Sequence, residues 1–268
     1  MNQMFLVRNG RARATIDISG DPERLAPVAA ELQRCVRAAT DAALPVVLAP
    51  PPDGHPAVRL IIEPDLLDRF TRRNPAPREA VSWTCNGRDS LSISGSDAEA
   101  LWLALYAFLE AHAGCHWFFP GPDGEDIPRS RSLAVPRLRV VHAPSFIIRD
   151  WRHWPREFQR QKLGGALTLG PAHSYARVVP ADELRRHPAY GVLIGGRRSP
   201  NPGFQRCLSQ RGVEDLAVRY CLDFFRTHPE APLVDLSPND CEVFCDCPRC
   251  IEANLGHKPQ GAERRASP

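Results

Sequence analysis

Hydrophobic positions follow two rhythms over roughly the first 140 residues. Arg13–Ile18 alternates polar and apolar residues and predicts a strand. Leu25, Val28, Ala29, Leu32, Cys35, Val36 and Ala39 then recur at helical spacing and predict one long helix. Pro27 is tolerated only in a first turn, so the regular helix is expected to begin close to it. Cys35 reads as core. Leu44–Leu48 and Val58–Ile62 predict two strands, the second interior. Ala80–Cys85, Asn86-Gly87 and Leu91–Ser94 predict a hairpin on a tight turn. Ser96-Asp-Ala-Glu99 reads as a capping box opening a helix with Leu101, Leu105, Phe108 and Leu109 on one face. That helix runs out at Gly114, and Trp117, Phe118 and Phe119 read as packing beneath a loop, with a sugar-stacking platform as the alternative. Leu138–Val141 reads as a last strand or linker. The expected first domain, residues 1–140, is an α+β sandwich.

Beyond residue 140 the pattern changes to apolar segments ending in polar, chemically able residues. Phe146–Arg149, Gly165–Leu169, Tyr190–Ile194 and Leu233–Leu236 read as strands. Helical stretches are expected near Arg156–Lys162 and over Val213–Arg226. Side chains at strand ends form the sites of (β/α) barrels; here those ends supply Arg149, His173, Arg197 and Asp240. A full barrel needs at least about 200 residues, so residues 141–255 read as the first half of a (β/α)8-type barrel and residues 256–268 as a disordered tail. The expected fold class is α/β, an N-terminal sandwich followed by an incomplete barrel.

Composition narrows the partners. The net charge of +3 is small and spread along the chain, which argues against nucleic acid. No apolar run reaches the roughly 18 residues of a membrane span. The start, MNQMFLVRNG, has no secretory core, so a cytoplasmic, reducing setting is expected, or an extracytoplasmic one if the start is trimmed. Cysteines crowd at Cys241, Cys245, Cys247 and Cys250. The Cys-x-Cys-x-x-Cys spacing suits zinc, with Cys241 or His257 as the fourth ligand; unliganded thiols in a loop are the alternative. No cofactor is expected, a structural zinc being the one exception these thiols leave open.

The order of several motifs resembles a family. They are Ser94–Glu110, Gly114–Gly121, His187–Tyr190 with Gly196-Arg197, Cys207-Leu-Ser209, and Ser237–Asp240 with Cys245–Cys250. Together they resemble a family of carbohydrate-locus proteins of undefined activity, whose N-terminal domain is similar to that of α-glucuronidases and to the second domain of β-hexosaminidases. The resemblance implies a glycoside-hydrolase-type barrel behind an accessory α/β domain. Where hexosaminidase relatives place an Asp-Glu pair, this sequence has Asp240 followed by Cys241, with Glu242 one place late.

The expected function is therefore a carbohydrate-active, glycoside-hydrolase-like protein of α-glucuronidase or β-hexosaminidase type, read as an N-terminal portion with an incomplete active site. Asp240 is the expected catalytic carboxylate. Arg149, Trp151, His173, Arg197 and Asn239 are expected to bind substrate, a carbohydrate containing uronic acid or N-acetylhexosamine. A forked guanidinium suits a uronate carboxylate. Glycoside hydrolysis takes two carboxylates, or one with substrate assistance, and only one is evident. The alternatives are a non-catalytic carbohydrate-binding protein and a zinc-binding module built on the cysteine cluster.

Overall fold

The structure, a computed structural model, describes residues 2–72, 77–146, 148–149, 156–163, 173–229, 231 and 233–253. The chain has a mixed α/β fold and divides into two compact units, Met1–Thr168 and Leu169–Pro268.

In the first unit the strands are β1 (Gln3–Arg8), β2 (Arg11–Ala12), β3 (Thr15–Asp17), β4 (Val46–Val47), β5 (Ala57–Ile62), β6 (Val81–Cys85), β7 (Ser90–Gly95), β8 (His116–Trp117), β9 (Glu125–Asp126), β10 (Leu133–Pro136) and β11 (Leu138–His142). The long helices are α1 (Pro22–Thr40) and α2 (Ala98–Ala113). Six strands form one sheet in the order β11-β6-β7-β5-β3-β4. Its β4, β3, β5 and β7 run parallel, while β6 is antiparallel to both of its neighbours, β7 and β11. Strand β5 is interior, as its apolar run predicts. A second sheet, β10-β1-β2, has no counterpart in the expected strands. The helices touch each other and pack on the large sheet. Leu25, Leu32 and Val36 of α1 and Leu101, Leu105, Phe108 and Leu109 of α2 are buried between them. Each such side chain contributes about 1.5–3 kcal/mol by leaving water.

Local chemistry corrects three expectations. Helix α1 starts at Pro22, not near Pro27, because Asp21 caps it by accepting from the Arg24 N–H at 3.2 Å. Proline fits the first helical position, where its missing N–H has no partner to lose. Pro27 sits inside the helix on its exposed side. The cap of α2 is Asp97, accepting from the Ala100 N–H at 2.8 Å, not Ser96. The Ser96 hydroxyl instead accepts from the Ala80 N–H. The β6–β7 hairpin turns over four residues, not two. The Asn86 side chain accepts from the N–H groups of Arg88, Asp89 and Ser90, and Gly87 takes φ of 77°.

The second unit contains short helices α3 (Tyr175–Val178) and α4 (Ala181–Arg186), the hairpin of β12 (Leu193–Ile194) and β13 (Arg197–Arg198), the long α5 (Arg211–Thr227) and the short α6 (Pro248–Ala253). Leu193–Ile194 pairs antiparallel across Gly195-Gly196, and Leu233–Leu236 forms no strand. Among the described residues of this unit the two strands, β12 and β13, pair antiparallel, and no parallel strand pair is described. The expected strand Gly165–Leu169 and the tail 256–268 lie outside the described residues. One small core gathers Val178, Val179 and Val213; the other consists of Val192, Cys207, Cys245 and Cys247. No helix among the described residues is long and apolar enough to cross a membrane.

Candidate functional site

Four sulfurs of the second unit converge. Cys207, Cys245, Cys247 and Cys250 place their Sγ atoms within 4.8 Å of one another, three of the residues buried and Cys250 half-buried. Cys207 lies ahead of α5. Cys245 and Cys247 precede α6, and Cys250 lies within it, so Cys247 and Cys250 sit one helical turn apart. Cys207 Sγ is 3.6 Å from Cys247 Sγ and 3.8 Å from Cys250 Sγ. All four are free thiols. The set corrects the expected one: Cys207 takes the place assigned to Cys241. The Cys241 sulfur instead accepts from Gln205 Nε2 at 3.3 Å. His257 lies outside the described residues.

The surroundings favour negative charge on Cys207 and Cys247 and oppose it on Cys245 and Cys250. The Leu193 N–H donates to Cys245 Sγ at 3.2 Å, and Arg198 Nη1 lies 3.7 Å from the same atom. The Ser209 hydroxyl is 3.3 Å from both Cys207 Sγ and Cys247 Sγ. Cys207 is pushed down, chiefly by the Cys245 thiol donating to it, with Ser209, Arg198 and Cys247 assisting against burial. The donor Cys245 is pushed up by the same bond and by burial. Burial opposes the charge on Arg198, but Cys207, Cys245 and Cys247 outweigh it and raise its pKa. A buried cluster of four thiols in such a setting can hold a metal ion.

A second convergence joins His173 to the Ser237–Asp240 loop. The His173 N–H donates to Ser237 Oγ at 2.8 Å, and the Ser174 N–H and hydroxyl both donate to the Ser237 carbonyl. His173 Nδ1 lies 3.1 Å from the Pro238 carbonyl. A carbonyl only accepts, so Nδ1 carries a hydrogen and Nε2 faces away from that bond. His173 takes a φ of 62°, in the left-handed region, where these bonds hold it. Asn239 is fixed from three sides: its N–H donates to Gln205 Oε1, its Nδ2 donates to the Phe204 carbonyl, and its own carbonyl accepts from Gln205 Nε2 at 2.6 Å. Its Oδ1 is buried and has no donor among the described residues. Asp240, next along, is exposed. Beside this loop lies a cavity of about 250 Å³ lined by Tyr175, Gln205, Arg206, Pro238, Phe244 and Cys245, among others.

The other expected site residues behave differently. Arg149 lies in the first unit, where its Nη2 pairs with buried Glu79 at 2.6 Å and its other nitrogens donate to the Lys162 and Phe146 carbonyls. That guanidinium is committed to its own unit and is not a free clamp for sugar. Arg197 is exposed on the hairpin; the inward arginine is its neighbour Arg198. Trp151 lies outside the described residues. Of the aromatic trio, Trp117 packs inside and donates to Glu125, whereas Phe118 and Phe119 are 70% and 54% exposed.

No curated protein matches the chain. A family model described as Domain of unknown function (DUF4838) matches residues 119–262, a stretch that contains all four converging thiols, His173 and the Ser237–Asp240 loop. That match spans more than half of the sequence, and the chain belongs to the DUF4838 family.

Proposed function

We propose that this chain is a carbohydrate-active, glycoside-hydrolase-like protein that recognises sugar at the Ser237–Asp240 loop of its second unit. The observation that carries the reading is Asn239. Its side-chain amide and backbone are locked by Phe204 and Gln205, which fixes the loop that presents the next residue to solvent. Asp240 presents an exposed carboxylate one residue on, and His173 is tied to the same loop. In this reading Asp240 donates to or accepts from the glycosidic region, and Asn239 and His173 hold hydroxyls. The sugar contains a uronic acid or an N-acetylhexosamine. The α-glucuronidase- and hexosaminidase-like sandwich and the (β/α) barrel belong to this proposal, as the folds the family resemblance attaches to such chains. Asp240 supports recognition; turnover takes a second carboxylate or assistance from the substrate itself, and the Asp235 carboxylate of the same stretch is engaged by the Ser237 hydroxyl at 3.0 Å. The thiol cluster is then a structural zinc centre: four protein sulfurs leave a tetrahedral ion no open position for chemistry.

Calorimetric titration of the full chain with D-glucuronate, N-acetylglucosamine and oligosaccharides of each tests the reading. Binding is expected for at least one of them, weakened about tenfold or more by Asp240→Asn, the loss of a charged hydrogen bond. No turnover of the corresponding aryl glycosides is expected. A folded chain that binds none of these sugars, or binds equally well as Asp240→Asn, overturns it.

A further inference from the structure

We infer that Cys207, Cys245, Cys247 and Cys250 bind one zinc ion around which the second unit is assembled; this rests on the structural reading of the cluster but not on sugar recognition. The first argument is metric. Zinc–thiolate bonds of about 2.3 Å put the sulfurs of a tetrahedron about 3.8 Å apart along each edge. The Cys207–Cys247 and Cys207–Cys250 separations are 3.6 and 3.8 Å, and no pair among the four exceeds 4.8 Å. A disulfide would bring two sulfurs to about 2.05 Å; none of the four is so joined. Two of the six separations match that edge, and none of the others exceeds it by more than about 1 Å.

The second argument is charge. Four thiolates around a divalent zinc ion leave a net negative centre, which inside a protein needs positive or N–H partners. Arg198 and the Leu193 N–H both approach Cys245 Sγ. Arg206, next to Cys207 in sequence and 2% exposed, lines the same cavity as Cys245 and Cys250. Its nitrogens donate to the carbonyls of Phe204, Val179 and Pro202, and it forms no ion pair with a carboxylate among the described residues. The nearby Asp246 carboxylate is turned to the Gly195 N–H.

The third argument is the size of the core. Three of the four buried residues in this cluster are cysteines, packed only by Val192 and a few half-buried neighbours. So small an apolar cluster, set apart from the Val178–Val179–Val213 core, gives a metal a structural part to play at this end of the unit. The ion would join the start of α5, through Cys207, to α6 and to the β12–β13 hairpin that reaches Cys245. Gln205, two residues before Cys207, holds the Asn239 loop, so the centre also fixes that loop.

Elemental analysis of the full chain, purified without chelator, should find one zinc per chain. Cys207→Ser and Cys247→Ser should lose it, and Cys241→Ser should keep it. Because a ligand variant can fail to fold, X-ray absorption on the unaltered chain gives an independent measure: four sulfurs at about 2.3 Å are expected. Arg198→Met should retain the ion but release it to chelator about tenfold faster, as loss of a group that hydrogen-bonds a ligand does. Absence of zinc, iron in its place, nitrogen or oxygen in the coordination shell, a disulfide among the four by mass, or metal loss in Cys241→Ser equal to that in Cys207→Ser overturns the inference. A zinc-replete chain that binds no sugar sinks the carbohydrate reading and leaves this one standing.

Discussion

Replacing Gly95 with alanine should unseat α2 from the large sheet. Gly95 ends β7, and a Cβ added there would lie 2.1 Å from the Leu101 nitrogen, 2.4 Å from the Ala100 carbonyl carbon and 2.5 Å from the Leu101 Cα. Those are backbone atoms of the helix, so no side chain can swing aside, and the new carbon is more than about 1 Å inside contact distance. Relief requires the helix to retreat, and a gap of about 0.5–1 Å forfeits roughly a quarter to a half of the dispersion across it. Leu101, Leu105, Phe108 and Leu109 are fully buried at that interface, each stabilising by about 1.5–3 kcal/mol. Losing a quarter of that is about 2 kcal/mol, and overpacking strain adds about 1–3 kcal/mol. The expected cost is about 3–4 kcal/mol, a fall in Tm of roughly 10 °C. All five tryptophans belong to Met1–Thr168, so their fluorescence on heating reports this unit. Gly20→Ala is the control: nothing lies within 4 Å of its added Cβ, and its effect should stay within about 1 kcal/mol. Should Gly95→Ala melt with the control, α2 does not rest on β7 as described.

Acid should destabilise the first unit through Glu31 and Glu125. Glu125 is held below the ordinary carboxylate range, first by hydrogen bonds from Arg34 and then by Trp117, against burial; for Glu31 burial pushes up, but Arg34 and Arg160 outweigh it. Folded values below unfolded ones mean stability that is complete above about pH 4.3 and is lost as pH falls through the folded values. The urea midpoint by tryptophan fluorescence should therefore drop below pH 4, less so in Arg34→Met; a midpoint that rises on acidification would contradict the sign. Gln205→Leu leaves the Asn239 N–H, the Asn239 carbonyl and the Cys241 carbonyl without their partner, at about 1–3 kcal/mol for each group left unpaired and buried. Hydrogen exchange should speed up across residues 237–241 while the tryptophan transition stays put; unchanged exchange would mean that Gln205 does not hold the loop.

The parts of the fold legible in the sequence were those with a local cause. Periodicity alone placed α1 and α2, because a helix buries one stripe and both stripes are long. The β6–β7 hairpin was legible from its two runs. Its turn was misread because Asn86 works through its side chain, accepting three N–H groups, and not by adopting positive φ. Strand β1 was missed although Met4 and Leu6 alternate inward, since its partner β10 lies more than a hundred residues away and nothing local marks the pairing. In the second unit, Leu233–Leu236 has the composition of a strand without a neighbour to pair with among the described residues. An apolar run states that a segment is to be buried, not by which partner.

The candidate site divides along the same line. Spacing exposed Cys245, Cys247 and Cys250, because ligands on one helical turn are close in sequence. The fourth sulfur could not be chosen that way: Cys241 is the nearer in sequence, Cys207 the nearer in space, and only the turn that carries Gln205 and Cys207 toward α6 separates the two. Charge gives a signal that spacing does not. Arg198 and Arg206 are basic residues drawn into a region where no carboxylate among the described residues pairs with them, while Arg149, which a strand-end argument favoured, is neutralised by buried Glu79. An arginine whose charge is already met is a structural strut. Arg198, half-buried without a carboxylate partner among the described residues, lies 3.7 Å from Cys245 Sγ, where thiolates held by a metal would meet its charge.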